Sequence, residues 1–150
     1  AYRRQRQMCI RDSFDNVILD ANDPLRIIGV LDWELTTLGD PLMDLGNTLA
    51  YWIEADDPAP VQLMRRQPSN APGMLTRQAF VDYYAERAGI EIKCFDFYYI
   101  YGLFRLAGIV QQIYYRYYHG QTADKRFASF VQMNALLEKM ALGVVARSSL

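Results

Sequence analysis

The sequence predicts an α+β fold that is mainly α: one short β-hairpin near the start, then about four helices. Three observations carry this reading. Two short apolar runs flank a turn-rich cluster, Asp20-Ala21-Asn22-Asp23-Pro24. Asp40-Pro41 is a helix-start signal, because Asp caps the first backbone N–H groups and Pro suits the first helical position. Over residues 95–118, apolar side chains recur at steps of three and four, the period of a helix face.

The hairpin comes first. Residues 16–19 hold Val17-Ile18-Leu19, and residues 26–31 hold Ile27-Ile28-Gly29-Val30-Leu31. The cluster between them supplies a loop of five to six residues. Two strands alone are marginal in water, so the hairpin must rest on something larger. The helix opened by Asp40-Pro41 should run through Met43, Leu45, Leu49, Ala50, Trp52 and Ile53. Residues 56–73 contain four prolines and Gly73, so they read as a long irregular connection of the kind that often serves as a lid. Thr76 should cap a second helix that ends at Gly89. A third spans about 95–118 and stops at His119-Gly120. A fourth spans about 123–146.

Composition bounds the function. The chain has 150 residues, 51% hydrophobic and 22% charged, which suits one globular domain and excludes global disorder. A net charge of −1 gives no general pull toward nucleic acid or an anionic membrane, so neither is expected as a partner. Asp96, Arg105, Gln111, Gln112 and Arg116 interrupt the most apolar stretch, which therefore does not read as a membrane span. Two cysteines and one histidine make neither a disulfide framework nor a zinc site. With no signal peptide evident, a reducing, cytoplasmic setting is expected.

Residues 1–13, AYRRQRQMCIRDS, are set apart. They hold four arginines against one acid, while the remainder has 12 basic and 16 acidic residues. As a native basic arm they would contact nucleic acid or membrane. As an adapter-derived or foreign segment they need no function, and Met8 to Ser13 resembles a translation of the transposase end used in DNA library preparation. The second reading is preferred. The domain is then 14–150.

The chemistry concentrates between Ser13 and Gly46. Asn16 opens the first strand and Asp32 follows the second, so a hairpin brings the two to one point. One amide oxygen and one carboxylate suit Mg²⁺, which takes few protein ligands and keeps positions for water and phosphate. Phosphoryl transfer needs that arrangement. Each residue has a plainer alternative: Asn16 as a turn residue, Asp32 as a strand-end cap.

Three blocks in order make the pattern specific: Phe14-Asp15-Asn16, Leu31-Asp32-Trp33-Glu34, and Gly39-Asp40-Pro41-Leu42-Met43-Asp44-Leu45-Gly46. Together they resemble the C-terminal lobe of the aminoglycoside phosphotransferase and choline kinase-like family, in the branch found beside or fused to acyl-CoA dehydrogenases. The resemblance covers roughly residues 13–150. It implies a protein kinase-like C-terminal lobe, ATP and Mg²⁺ as cofactors, and a small-molecule hydroxyl as acceptor, a hydroxy acid or hydroxyacyl-CoA before an aminoglycoside. It implies Asn16 and Asp32 as metal ligands. Asp15 supports the catalytic loop or lies exposed, and Glu34 supports the metal or is a solvated acid. Asp40 is a helix cap before it is a ligand, and Asp44 holds the catalytic-loop backbone.

The family's loop reads H-G-D-[FY]-x-x-D-N, with the catalytic Asp five residues before the metal-binding Asn. Here that position is Arg11, and Asp12 is one residue out of register. No glycine-rich phosphate loop occurs, and the lobe that carries the family's ATP-binding lysine has no counterpart here. The chain therefore reads as a fragment of a small-molecule kinase, inactive as it stands. The alternative is a pseudokinase-like or helical partner-binding module. The tyrosine-rich third helix is core before it is a substrate wall. Arg105 within it is expected to form an ion pair, and His119 to close its C-terminus.

Overall fold

The computed structural model describes residues 7–8, 16–32 and 37–149. In chain order the elements are β1 (Gln7–Met8), β2 (Val17–Leu19), β3 (Ile27–Val30), β4 (Thr37–Leu38), α1 (Pro41–Ala50), α2 (Ala59–Gln62), α3 (Arg77–Ala88), α4 (Asp96–Tyr118), a 3₁₀ turn (Lys125–Ser129) and α5 (Phe130–Arg147). β2 and β3 form the expected antiparallel hairpin, and β1 pairs antiparallel with β4, Gln7 opposite Leu38. No helix is long and apolar enough to cross a membrane among the described residues.

The helix signals act where they were read. Asp40 caps α1, its Oδ1 accepting from Leu42 N–H at 3.0 Å. Thr76 caps α3 by accepting from Ala79 N–H at 3.1 Å, and Gly89 ends that helix at φ 61°, a left-handed conformation suited to glycine. α4 closes at His119, with Gly120 at φ 70°.

Three expectations change. α1 stops at Ala50 rather than reaching Ile53. The last predicted helix is divided into a 3₁₀ turn and α5. Residues 51–76 are not a loose lid. They contain the one-turn helix α2, which makes five helices rather than about four, and they are pinned throughout. Ser69, 2% exposed, accepts from Ile53 N–H and donates to Ile53 C=O. Gln62 Nε2 donates to Glu54 C=O, and Trp52 Nε1 to Leu75 C=O. Side chains thus satisfy a backbone that no regular ladder serves.

α1 is the centre of the molecule. Every residue from Asp44 to Ala50 is buried, so this helix is surrounded rather than laid on a surface. Leu45, Leu49, Trp52 and Val81 form one apolar cluster on the α3 side. Ala50, Met64, Leu103, Leu106, Val110 and Leu137 form a second, against α4 and α5. α4 crosses α1 with glycine on both sides: a Cβ on Gly102 would lie 2.1 Å from the Gly46 carbonyl oxygen. The core face of α4 is Leu103, Leu106 and Val110; Phe104 is 73% exposed and does not belong to it.

Candidate functional site

The base of the hairpin is built by register. Val17 pairs with Val30 and Ile18 with Gly29, and an irregularity follows at Leu19, which pairs with Ile27. Leu31 N–H donates to Asn16 C=O at 2.8 Å, carrying the ladder one step past the strands. The far end is tied by Asp20 and Asp23, whose side chains accept from Asn22 and Leu25 N–H. Asn16 and Asp32 then flank the last pair. Asn16 Nδ2 lies 3.4 Å from Asp32 Oδ2. Asp32 takes φ 67°, the one left-handed non-glycine residue among those described. That conformation costs an L-residue about 1 kcal/mol or more. It turns the chain sharply at the residue whose carboxylate meets Asn16.

The two groups expected as metal ligands are therefore brought together across sixteen residues of chain. Rotating the Asn16 amide half a turn presents its oxygen in place of its nitrogen. One amide oxygen beside one carboxylate is a donor set that fits Mg²⁺. Among the described residues no group of three or more His, Cys, Asp or Glu side chains converges. Arg11, Asp15 and Glu34 lie outside the described residues.

Asp40 is a cap, as expected, and also more. Its Oδ2 accepts from the Tyr98 hydroxyl at 3.0 Å, tying the start of α1 to α4. That hydrogen bond raises the Tyr98 pKa, with a smaller push from burial. Asp44 is 7% exposed, in the first turn of α1. A buried carboxylate there is costly unless it is bonded, which suits a positioning role. His119 closes α4 and packs against Tyr115 at a tilt of 49°, ring centres 4.2 Å apart. Arg105 has no ion-pair partner among the described residues, contrary to expectation.

Sequence reasoning missed a second charged cluster. The Arg77 guanidinium bridges Glu54 and Asp57, with Nη1 3.0 Å from Glu54 Oε2 and Nη2 bonded to Asp57 Oδ2. Its Nε donates to Trp52 C=O at 2.9 Å, and its backbone N–H donates to Glu54. The guanidinium also lies 5.7 Å from the Tyr99 ring centre. Burial opposes its charge, but the hydrogen bond to Asp57 and the neighbouring anions outweigh burial and raise its pKa. The Tyr99 hydroxyl is pushed up by burial, against the pull of Arg77. These partners are 20 to 25 residues apart, and no local motif announces them.

Comparison with known proteins agrees with the motifs. Residues 13–80 match the model of the phosphotransferase enzyme family. Mouse acyl-CoA dehydrogenase family member 10 is 34% identical over 143 residues, covering 93% of this chain and 13% of that protein. Human acyl-CoA dehydrogenase family member 11 is 32% identical over 124 residues, covering 79% of this chain and 15% of that protein. The chain thus spans about a seventh of the length of these relatives. A crystal structure from Ralstonia eutropha JMP134, assigned as an aminoglycoside phosphotransferase, superposes with a TM-score of 0.72 at 26% identity. It covers 91% of this chain and 41% of that one. By motif, by family match and by fold, the chain resembles the phosphotransferase enzyme family, and it shares that resemblance with the part of acyl-CoA dehydrogenase family members 10 and 11 to which it aligns.

Proposed function

We propose that this chain is part of the phosphoryl-transfer lobe of an ATP- and Mg²⁺-dependent kinase for a small-molecule hydroxyl. The observation that carries the proposal is the meeting of Asn16 and Asp32, 3.4 Å apart, at the base of the hairpin. In the reaction, the acceptor oxygen forms a bond to the γ-phosphorus of ATP, the bond to the bridging oxygen breaks, and the hydroxyl proton leaves to a base. Asn16 and Asp32 would hold Mg²⁺. Bound there, the ion offsets charge on the phosphates. Asp40 ties the start of α1 to α4 through Tyr98, and Asp44 would hold the catalytic-loop backbone. Asp15 and Glu34 would support the same site.

No base stands at the family position, which is Arg11, so the chain by itself should bind Mg²⁺–nucleotide weakly and transfer nothing. The relatives' names favour a hydroxy acid or hydroxyacyl-CoA as acceptor, with an acyl-CoA dehydrogenase domain in the same chain or pathway. Residues 1–13 are taken as adapter-derived. An independent clone that reads His-Gly-Asp ahead of Ser13 would support this, and one that reads the same residues would overturn it.

The direct test is nucleotide binding by the whole chain with and without Mg²⁺. Binding that needs Mg²⁺ and disappears in Asp32→Ala supports the reading; binding unchanged in Asp32→Ala sinks it. Turnover at about one per second or faster, ordinary for intact kinases, would overturn the expected inactivity. A second reading, a partner-binding module without catalysis, is favoured by the exposed apolar hairpin, where Leu25 is 94% and Ile27 58% exposed.

A further inference from the structure

A cleft lies apart from the hairpin, between α3, α4 and α5 and the segment after α1, and none of residues 16–32 lines it. Its volume is about 680 Å³, within the roughly 300–1,000 Å³ common for small-molecule sites. On one side stands the Arg77 cluster. On the other, α5 presents two adjacent stripes. Leu136, Met140 and Val144 recur at four-residue steps and are apolar. Lys139, Gly143 and Arg147 recur at the same step beside them, so the two cations stand about 12 Å apart along one face. Gly143 leaves a notch between them: a Cβ there would meet only Arg147 Nη1, at 3.9 Å.

The charges of the cleft are unevenly committed. Glu54 and Asp57 are both held by Arg77. Asp96 sits in the first turn of α4, where the helix N-terminus offsets its charge. Lys139 and Arg147 are exposed and have no ion-pair partner among the described residues. The uncommitted charge is therefore positive and lies along α5, next to an apolar stripe.

We propose that this cleft binds an amphipathic anion, a carboxylate or phosphate head on an apolar stem. The head is held by Lys139 and Arg147, and the stem lies on Leu136, Met140 and Val144, seated at the Gly143 notch. The site is independent of the hairpin, so a chain that fails to bind Mg²⁺–nucleotide still tests it.

The test is calorimetric titration of the whole chain with decanoate and decyl phosphate, against decanol and inorganic phosphate. Both amphipathic anions should bind, more weakly at about 1 M salt, where charges are screened beyond about 3 Å. The tighter of the two identifies the head group. Lys139→Gln and Arg147→Gln should each weaken binding roughly twofold to fivefold, as suits solvent-facing charges. Gly143→Leu should abolish it by filling the notch, while raising helix propensity, so that circular dichroism confirms a folded chain. No binding of either anion overturns the proposal. So does decanol binding as tightly as decanoate, inorganic phosphate binding as tightly as decyl phosphate, or a folded Gly143→Leu chain that binds like the wild type. The glutamine variants alter exposed side chains and decide the matter if Gly143→Leu does not fold.

Discussion

Replacing Gly102 by alanine would drive a methyl group into the backbone of α1. The new Cβ would lie 2.1 Å from the Gly46 carbonyl oxygen, 2.6 Å from its carbon and 3.0 Å from Asn47 N. Carbon and oxygen approach no closer than about 3.3 Å in ordinary contact. α4 must therefore retreat by about 1 Å, and neither helix can yield locally because the obstacle is main chain. The retreat loosens Leu45 and Leu49 on α1 and Leu103 and Leu106 on α4, all 6% exposed or less. A buried Leu makes about 40–60 contacts of roughly 0.1 kcal/mol, and a gap of about 1 Å forfeits a quarter to a half of each contact across it. If about half of each side chain's contacts cross the seam, the four residues lose about 2–6 kcal/mol. The better helix propensity of Ala returns about 1 kcal/mol. The net cost is about 1–5 kcal/mol, a large share of the roughly 5–15 kcal/mol that holds a domain together. Urea unfolding followed by circular dichroism measures it. Gly108→Ala is the matched control, six residues on in the same helix, where an added Cβ meets nothing within 4 Å. It should stabilise by up to about 1 kcal/mol. Gly102→Ala as stable as Gly108→Ala would refute the close crossing of α1 and α4.

Other variants test other joints. Arg77→Met leaves Glu54 and Asp57 facing each other with side chains 19% and 13% exposed; it should cost about 2–4 kcal/mol in chemical denaturation, a little under the figure for a fully buried pair. A loss below about 1 kcal/mol would mean that the cluster behaves like surface charge. Asp32→Gly should gain about 0.5–1 kcal/mol by relieving the left-handed backbone while Mg²⁺-dependent nucleotide binding is lost, so a gain in both or a loss in both contradicts the assignment. The raised pKa of Tyr98 means that its bond to Asp40 stabilises fully below the ordinary tyrosine value of 10.0 and is lost as pH rises through the folded value. Tyr98→Phe should therefore cost about 0.5–1 kcal/mol near neutrality and make the alkaline fall in melting temperature shallower; an unchanged alkaline limb would count against the bond.

Local chemistry was legible in the sequence and distant geometry was not. Asp40, Thr76 and Gly89 act within four residues of themselves, so their helix boundaries could be placed from residue type alone. Asn16 and Asp32 were legible at longer range because a hairpin has one simple closure. The proline-rich segment misled, since prolines mark the absence of a long helix but say nothing of what pins the chain. Ser69 and Gln62 do that by bonding backbone groups far along the sequence. The Arg77 cluster was invisible for the same reason. Phe104 shares a periodic stripe with Ala107 but faces solvent, because α4 meets partners on two sides, and which stripe is covered depends on where α1 and α5 lie. Gly46 and Gly102 carry no signal except the lack of a side chain, and only the crossing gives that lack a meaning.

The same crossing constrains the order in which the chain can fold. Gly46 and Gly102 are separated by the end of α1, the pinned segment with α2, the whole of α3 and the start of α4, whereas α4 and α5 are joined by a shorter connection. Closing the longer loop loses more chain entropy, so α4 and α5 can pair before α1 is seated. Synthesis runs the other way. α1 leaves the ribosome ahead of α4, which follows only after the forty-five residues between them, Tyr51 to Phe95, have been made. At about 5–20 residues per second that is an interval of roughly 2–9 s. Through it, the Gly46 face of the central helix waits for the helix that crosses it.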